Sequence, residues 1–216
     1  MKKALIISTT LSIILLAALI FLLAKEKNAG SASSQVSLKS PQDKSCCDDP
    51  GAGAKSDNSI YQLESAWKNE LGERVTLDKL KGKKQVMAMI FASCTYACPL
   101  IVNDMKKIES LVKRDDVNFL LISIDPQRDT PAALLKYAEN NKLDLKKWTL
   151  LTGDENGVSE LAAVLGFKYK KEPDGSFSHS NIINLLDEAG EVKFQHFGLN
   201  QDVQDIIEKI QNNKEK

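Results

Sequence analysis

Histidine is nearly missing from this chain, with two residues, and cysteine is scarce, with four. Excess charge of either sign is absent: 29 Lys and Arg stand against 29 Asp and Glu. No basic surface therefore speaks for nucleic acid as a partner. No internal repeat is visible. Charge, proline and glycine are all absent between Ala4 and Ala24, and no cysteine directly follows that apolar run, which excludes a bacterial lipoprotein. What is present suits a globular protein. Of the 216 residues 43% are hydrophobic and 27% charged, enough for one packed domain of ordinary size plus a tail.

The uncharged run is the first positive signal. At about 1.5 Å per residue, roughly 20 apolar residues cross a hydrocarbon core about 30 Å thick. A cleaved signal carries a shorter apolar region of about 7–15 residues that ends in small residues, whereas here Lys25, Glu26 and Lys27 follow at once. Residues 1–24 are expected to be a short cytoplasmic start and an uncleaved transmembrane anchor; cleavage near Ala29 and Gly30 is the alternative. Lys2 and Lys3 favour a cytoplasmic N-terminus. The folded part is then expected on the periplasmic or extracytoplasmic side of the inner membrane, where thiols oxidise unless a reductant or a metal holds them. Residues 25–58 are rich in Gly, Ser, Ala, Lys and Asp with no apolar period, and read as a flexible tether.

From residue 59 the pattern tightens into one domain, 59–216. "IYQLESAWKN", "ELGE" and "RVTL" predict a β-hairpin turning at Gly72. "QVMAMIF" is a short continuous apolar run, as in a strand buried on both faces. In "PLIVNDMKKIESLVKR" the residues Ile101, Met105, Ile108 and Val112 recur at helical spacing. "VNFLLISID" is a second buried strand. "DTPAALLKYAENN" is a helix that Asp129 or Thr130 can cap, with Pro131 in its first turn. "WTLLTG" is a strand and "DENGVSELAAVLG" a helix closed by Gly166. Strands turning at Asp174-Gly175 and Ala189-Gly190 follow, then a final helix, "DVQDIIEKIQNN". Strands alternating with helices and closed by an antiparallel pair predict an α/β, thioredoxin-like fold: a central mixed sheet flanked by helices. Functional sites in such sheets lie at the carboxyl ends of the parallel strands.

"FASCTYACPL" occupies that position. Pro99 fits a first helical turn, which puts Cys98 at or near the N-cap and Cys94 in the turn before it. Helix N-termini favour thiolates, so both sulfurs are expected to ionise readily. Four residues of helix rise about 6 Å, within disulfide reach and equally within reach of one shared metal ion. Redox enzymes of this fold use C-x-x-C; the extra residue here redirects the sulfurs and leans toward a metal, with a redox pair and a structural staple still open. Of the two histidines, His196 shares strand parity with Val192 and Phe194 and reads as a packed or edge residue. His179 precedes a buried apolar run, in the place where thioredoxins set a cis-proline beside the cysteines. Ser178, His179 and Ser180 stand there instead, which argues against disulfide exchange with extended substrates and for a third ligand. Two thiolates and an imidazole suit Cu(I), and Cu(II) with a weak extra ligand. Structural zinc normally takes four protein ligands. A thiol peroxidase on this fold would need Thr or Ser three residues before the reactive cysteine, and Phe91 is there.

"SCTYACP", "ISIDPQRDTP", "LLTG" and "DGSFSHSNIINLLDEAGEV", in that order, resemble the Sco/SenC family over about residues 59–212, and the N-terminal anchor is similar too. The resemblance implies a membrane-tethered copper chaperone that helps assemble the copper centre of cytochrome c oxidase. It implies copper, Cu(I) or Cu(II), on Cys94, Cys98 and His179, a Cys94–Cys98 disulfide in the oxidised metal-free form, an extracytoplasmic thiol reductant, and a copper-receiving oxidase subunit or other copper protein as partner. Its D-P-x-R-D-T segment falls on Asp125, Pro126, Arg128, Asp129 and Thr130. Asp125 is expected either to orient the metal loop or to serve only as a turn residue. Cys46 and Cys47, in the tether, lie outside the family motif. They are idle, an auxiliary copper relay, or a thiol partner for the main pair; a stable bridge between adjacent cysteines would be strained. The competing function is a thiol–disulfide oxidoreductase that keeps a copper protein's cysteines reduced.

Overall fold

The computed structural model describes residues 59–212. The expected anchor and tether, with Cys46 and Cys47, lie outside the described residues. Among the described residues no helix is long and apolar enough to cross a membrane.

Among the described residues there are nine strands and four helices, with two short 3-10 turns, Ile60–Gln62 before the first strand and Leu77–Leu80 between the second and third. The strands are β1 (Ala66–Asn69), β2 (Arg74–Thr76), β3 (Lys84–Ile90), β4 (Val117–Ser123), β5 (Trp148–Thr152), β6 (Tyr169–Lys171), β7 (Phe177–His179), β8 (Ile182–Leu186) and β9 (Val192–Phe197). The helices are α1 (Ala97–Val112), α2 (Pro131–Asn140), α3 (Glu155–Val164) and α4 (Gln204–Asn212). Seven strands form one sheet in the order β2-β1-β5-β4-β3-β8-β9. β3, β4 and β5 run parallel, and β1, β8 and β9 join antiparallel to their inner neighbours. The mixed α/β fold is the expected thioredoxin-like one, extended at one edge by the β1–β2 hairpin. Gly72 turns that hairpin with φ +84°.

β3 explains why the site is where it is. All seven of its residues are buried, and it pairs from Lys84↔Val117 to Ile90↔Ser123 with β4 and from Gln85↔Leu186 to Ala88↔Ile183 with β8. Burying a side chain such as Met87, Met89 or Ile90 contributes about 1.5–3 kcal/mol, far more than a typical surface ion pair at about 0–1 kcal/mol. The apolar run therefore fixes β3 at the centre, and the chain leaves its carboxyl end at Phe91 directly into the cysteine loop. α1 then buries Cys98, Ile101, Val102, Met105, Ile108 and Val112 on one face, packing toward α4 and β8.

Local signals set most boundaries. Thr130, not Asp129, caps α2, its side chain accepting from the Ala133 N–H, with Pro131 at the first position. Asp154 caps α3 by accepting from Gly157 N–H at 2.7 Å. α1 begins two residues earlier than the sequence suggests, placing Pro99 third; proline is harmless there because early helical N–H groups have no intrahelical partner. The turn at Asp174-Gly175 joins β6 and β7 into a separate two-stranded sheet. Gly153, just past β5, lies against a buried indole: a Cβ there would sit 2.7 Å from the Trp67 ring. Gly153→Ala is expected to lower stability by about 1–3 kcal/mol through overpacking, read from urea unfolding; no loss would mean that the Trp67 contact is looser than described.

Candidate metal centre

Three segments far apart in sequence converge at the carboxyl end of β3. The loop between β3 and α1 carries Cys94, half-buried; the first turn of α1 carries Cys98, fully buried; the end of β7 carries His179, half-buried. Their ligand atoms all lie within 4.8 Å of one another. Cys98 Sγ is 3.9 Å from His179 Nε2. Metal–sulfur and metal–nitrogen bonds near 2.0–2.3 Å separate neighbouring ligands by about 3.5–4 Å, so less than about an ångström of closure seats an ion.

The histidine's proton is placed by its neighbour. Nδ1 lies 2.9 Å from the carbonyl oxygen of Ser180. A carbonyl only accepts, so Nδ1 carries the hydrogen in the neutral ring, and Nε2 presents its lone pair to the sulfurs. This is the usual arrangement of a metal-binding imidazole steered by its second nitrogen. The ring is held by aromatics: it stacks on Phe167 (centroids 5.9 Å, 19° between planes) and meets Phe91 edge-on at 5.7 Å. Phe177 packs on Phe91 at 5.2 Å. Lys168, Lys170, Ser178 and Ser180 line a hollow that reaches His179 from solvent.

The thiols are not alike. The Cys98 N–H, in the first turn of α1, points at Cys94 Sγ at 3.3 Å, so the helix N-terminus faces that sulfur. Cys98 contradicts the expectation that both sulfurs ionise readily. Burial pushes its thiol well above the ordinary cysteine range; a backbone contact at Phe91 pulls the other way, and the neighbouring Cys94 adds to the rise. Desolvation thus governs the inner cysteine even though it sits in the first turn of the helix. A bound cation reverses that balance, because a metal deprotonates a coordinating thiol outright. The donor set fits a soft metal: two sulfurs and one neutral imidazole in a largely apolar setting.

Of the two roles open to Asp125, its contacts fit the turn residue, and the contact to the cysteine loop is made by Asp129. The Asp129 carboxylate is 2% exposed. It accepts from Ala92 N–H at 2.9 Å, two residues before Cys94, and from Ser123 Oγ at 2.6 Å. Asp125, 1% exposed, pairs instead with Arg128, and its carbonyl receives the N–H groups of Arg128 and Asp129. His196 is the packed residue expected: it is buried, and its Nδ1 faces Asp205 at 2.9 Å. Sequence reasoning missed the aromatic surround of His179 and the anchoring role of Asp129. The only available signal for the latter was an acidic residue just before a Thr-Pro helix start, and that signal pointed to a cap. No cis peptide occurs among the described residues, and His179 ends β7 three residues before β8 begins at Ile182.

The fold and the site together define a thioredoxin-like protein in which two cysteines and a histidine at the carboxyl end of β3 are positioned for a metal ion. The family model for SCO1/SenC matches residues 56–215, and the chain belongs to that family. It is 31% identical over 157 residues to the SCO1 protein homolog of Bacillus subtilis, covering 69% of this chain and 81% of that relative. Among solved structures it resembles BsSco, a member of the Sco family of cytochrome c oxidase assembly proteins in which a disulfide switch was identified. That match has a TM-score of 0.60 and 29% identity, covering 68% of this chain and 89% of the other. It shares its fold with Arabidopsis thaliana ScoI with copper bound, at TM-score 0.60 and 24% identity, covering 68% of this chain and 96% of that one.

Asp129 yields a pH test. Burial raises its pKa above the ordinary carboxylate range, the Ser123 and Ala92 hydrogen bonds partly opposing. A carboxyl whose folded pKa exceeds its unfolded value stabilises the fold at low pH. That contribution is lost as pH rises from about 4 through the folded pKa. The stability of the native chain relative to Asp129→Asn is therefore expected to fall in urea unfolding as pH rises above the ordinary carboxylate range; a rise with pH there would contradict the assignment.

Proposed function

We propose that this chain binds one copper ion through Cys94 Sγ, Cys98 Sγ and His179 Nε2 outside the cytoplasm, and delivers it to the copper centre of cytochrome c oxidase. The observation that carries this reading is the convergence of two sulfurs and a lone-pair-bearing imidazole nitrogen within 4.8 Å. Membership of SCO1/SenC, the copper-bound ScoI of the same fold and the oxidase-assembly description of BsSco support it. The apolar residues 4–24 support a single anchor in the inner membrane, with the folded domain on the periplasmic or extracytoplasmic side.

Soft thiolates favour Cu(I), while the imidazole extends the site toward Cu(II). The cysteines hold copper only when reduced. Exchange with another disulfide, which takes up the two electrons and two protons and leaves as two thiols, joins Cys94 to Cys98; an extracytoplasmic thiol reductant returns them by the reverse exchange. The redox state of the pair thus gates loading. Cys94 is the half-exposed sulfur, and it is the one through which an incoming thiolate of a copper-receiving oxidase subunit can share the ion.

Cys94 also favours a second reading. A half-exposed sulfur facing a helix N-terminus suits attack on a disulfide, so the same residues without metal would serve a thiol–disulfide oxidoreductase that keeps a copper protein's cysteines reduced. His179 in the cis-proline position weighs against it.

Metal analysis and absorption spectroscopy on the reduced full chain separate the two. The delivery reading expects about one copper per chain and a copper–thiolate absorption band that Cys94→Ala abolishes. It also expects Cu(II) affinity at least about 10-fold lower in His179→Ala. No thiolate band in the native chain, together with fast reduction of a partner disulfide, would move the assignment to the oxidoreductase. Unchanged Cu(II) affinity in His179→Ala would remove the imidazole from the site.

A further inference from the structure

His179 stands at the end of a hairpin that the main sheet does not hold. β6 and β7 pair only with each other, through Tyr169↔His179, Lys170↔Ser178 and Lys171↔Phe177. The hairpin's base runs into β8 at Ile182, where the Gly198 N–H donates to the Asn181 carbonyl, so the position of the imidazole depends on that join and on what fastens the rest of the hairpin to the body.

Arg128, in the loop between β4 and α2, reaches across to it. Its Nε pairs with the buried carboxylate of Asp125, and its Nη2 donates to the carbonyl oxygen of Gly175 in the turn between β6 and β7. Its guanidinium carbon is 5.9 Å from the Phe177 ring centroid. Phe177 packs on Phe91, and Phe91 meets the His179 ring edge-on. A second polar tie, Lys171 Nζ to Gln127 Oε1 at 3.2 Å, lies exposed to solvent and is correspondingly weak. The Arg128 guanidinium is itself 43% exposed, and its bond to Gly175 lies at the surface, but it is anchored on the buried Asp125 carboxylate and ends on a backbone acceptor. Only a planar fork spans both; an ammonium group offers a single point charge.

We propose that Arg128 is a positioning residue for the copper site: it clamps the β6–β7 hairpin against the body and so holds His179 Nε2 toward the two sulfurs. The proposal rests on the copper-site reading above. It places Arg128 behind the imidazole, not behind the cysteines, so its loss separates the two copper oxidation states. Cu(I) is satisfied by the soft thiolates, whereas Cu(II) draws on the imidazole.

The test uses the full chain, reduced, with Arg128→Gln and the charge-conserving Arg128→Lys. Without metal, amide exchange at residues 176–180 is expected to quicken about 10-fold in both variants, with α1 unchanged. Cu(II) affinity is expected to fall about 10-fold and Cu(I) affinity to change by less than about 3-fold. In a His179→Ala background, Arg128→Gln is expected to cost no further Cu(II) affinity, as for two residues acting through one ligand. Unchanged hairpin exchange would overturn the clamp, as would an increase shared by α1. Equal losses for Cu(I) and Cu(II), or full additivity with His179→Ala, would overturn the link to the imidazole. Failure of the native chain to bind copper would remove the underlying site reading as well, and it shows in the native protein alone, before any variant is compared.

Discussion

Burial of Cys98 is the constraint on which this site depends. A fully buried thiol beside a second thiol resists ionisation, because desolvation and the neighbouring sulfur both penalise the anion. Two states relieve that penalty. One is a disulfide, which removes both thiols. The other is a bound cation, which supplies the missing charge. The architecture accommodates both: the cysteines are four residues apart across a helix start, and a neutral imidazole faces them with its lone pair set by the Ser180 carbonyl. The proposed gating of loading by oxidation rests on the desolvation of this one sulfur.

The scaffold divides the labour. The parallel core, β3 with β4 and β5, is rigid and apolar and delivers the cysteine loop. Asp129 pins that loop from the next crossover by accepting the Ala92 N–H. The third ligand comes from a small, separately paired hairpin fastened by side chains. Two ligands on the firm part and one on the fastened part suit a protein that takes up an ion and gives it away. In the proposed copper site the thiolates would hold the ion while the imidazole would adjust its affinity and its preferred oxidation state.

Much of this was legible in the sequence because it is local. The seven-residue apolar run of β3, the helical spacing of Ile101, Met105, Ile108 and Val112, and the Thr130-Pro131 start of α2 each depend on neighbours a few positions away. Cys94, Cys98 and His179 could be named because so few cysteines and histidines exist and because their places in a thioredoxin-like order are known. What stayed hidden is long-range. Asp129 touching Ala92, 37 residues away, and Arg128 touching Gly175, 47 away, leave no periodic trace. The raised pKa of Cys98 was missed for a related reason: the helix N-terminus is visible in sequence, whereas the depth of burial that outweighs it appears only once the sheet and helices are packed.

The central claim is that the imidazole is set as a ligand before any metal arrives. Nitrogen-15 NMR of His179 in the reduced, metal-free full chain, with His196→Gln removing the only other histidine signal, tests it most directly. The account predicts the neutral ring protonated on Nδ1, with Nε2 bearing a free lone pair. A neutral ring protonated on Nε2 would contradict it, since that nitrogen would then turn a hydrogen toward Cys98 in place of a donor pair.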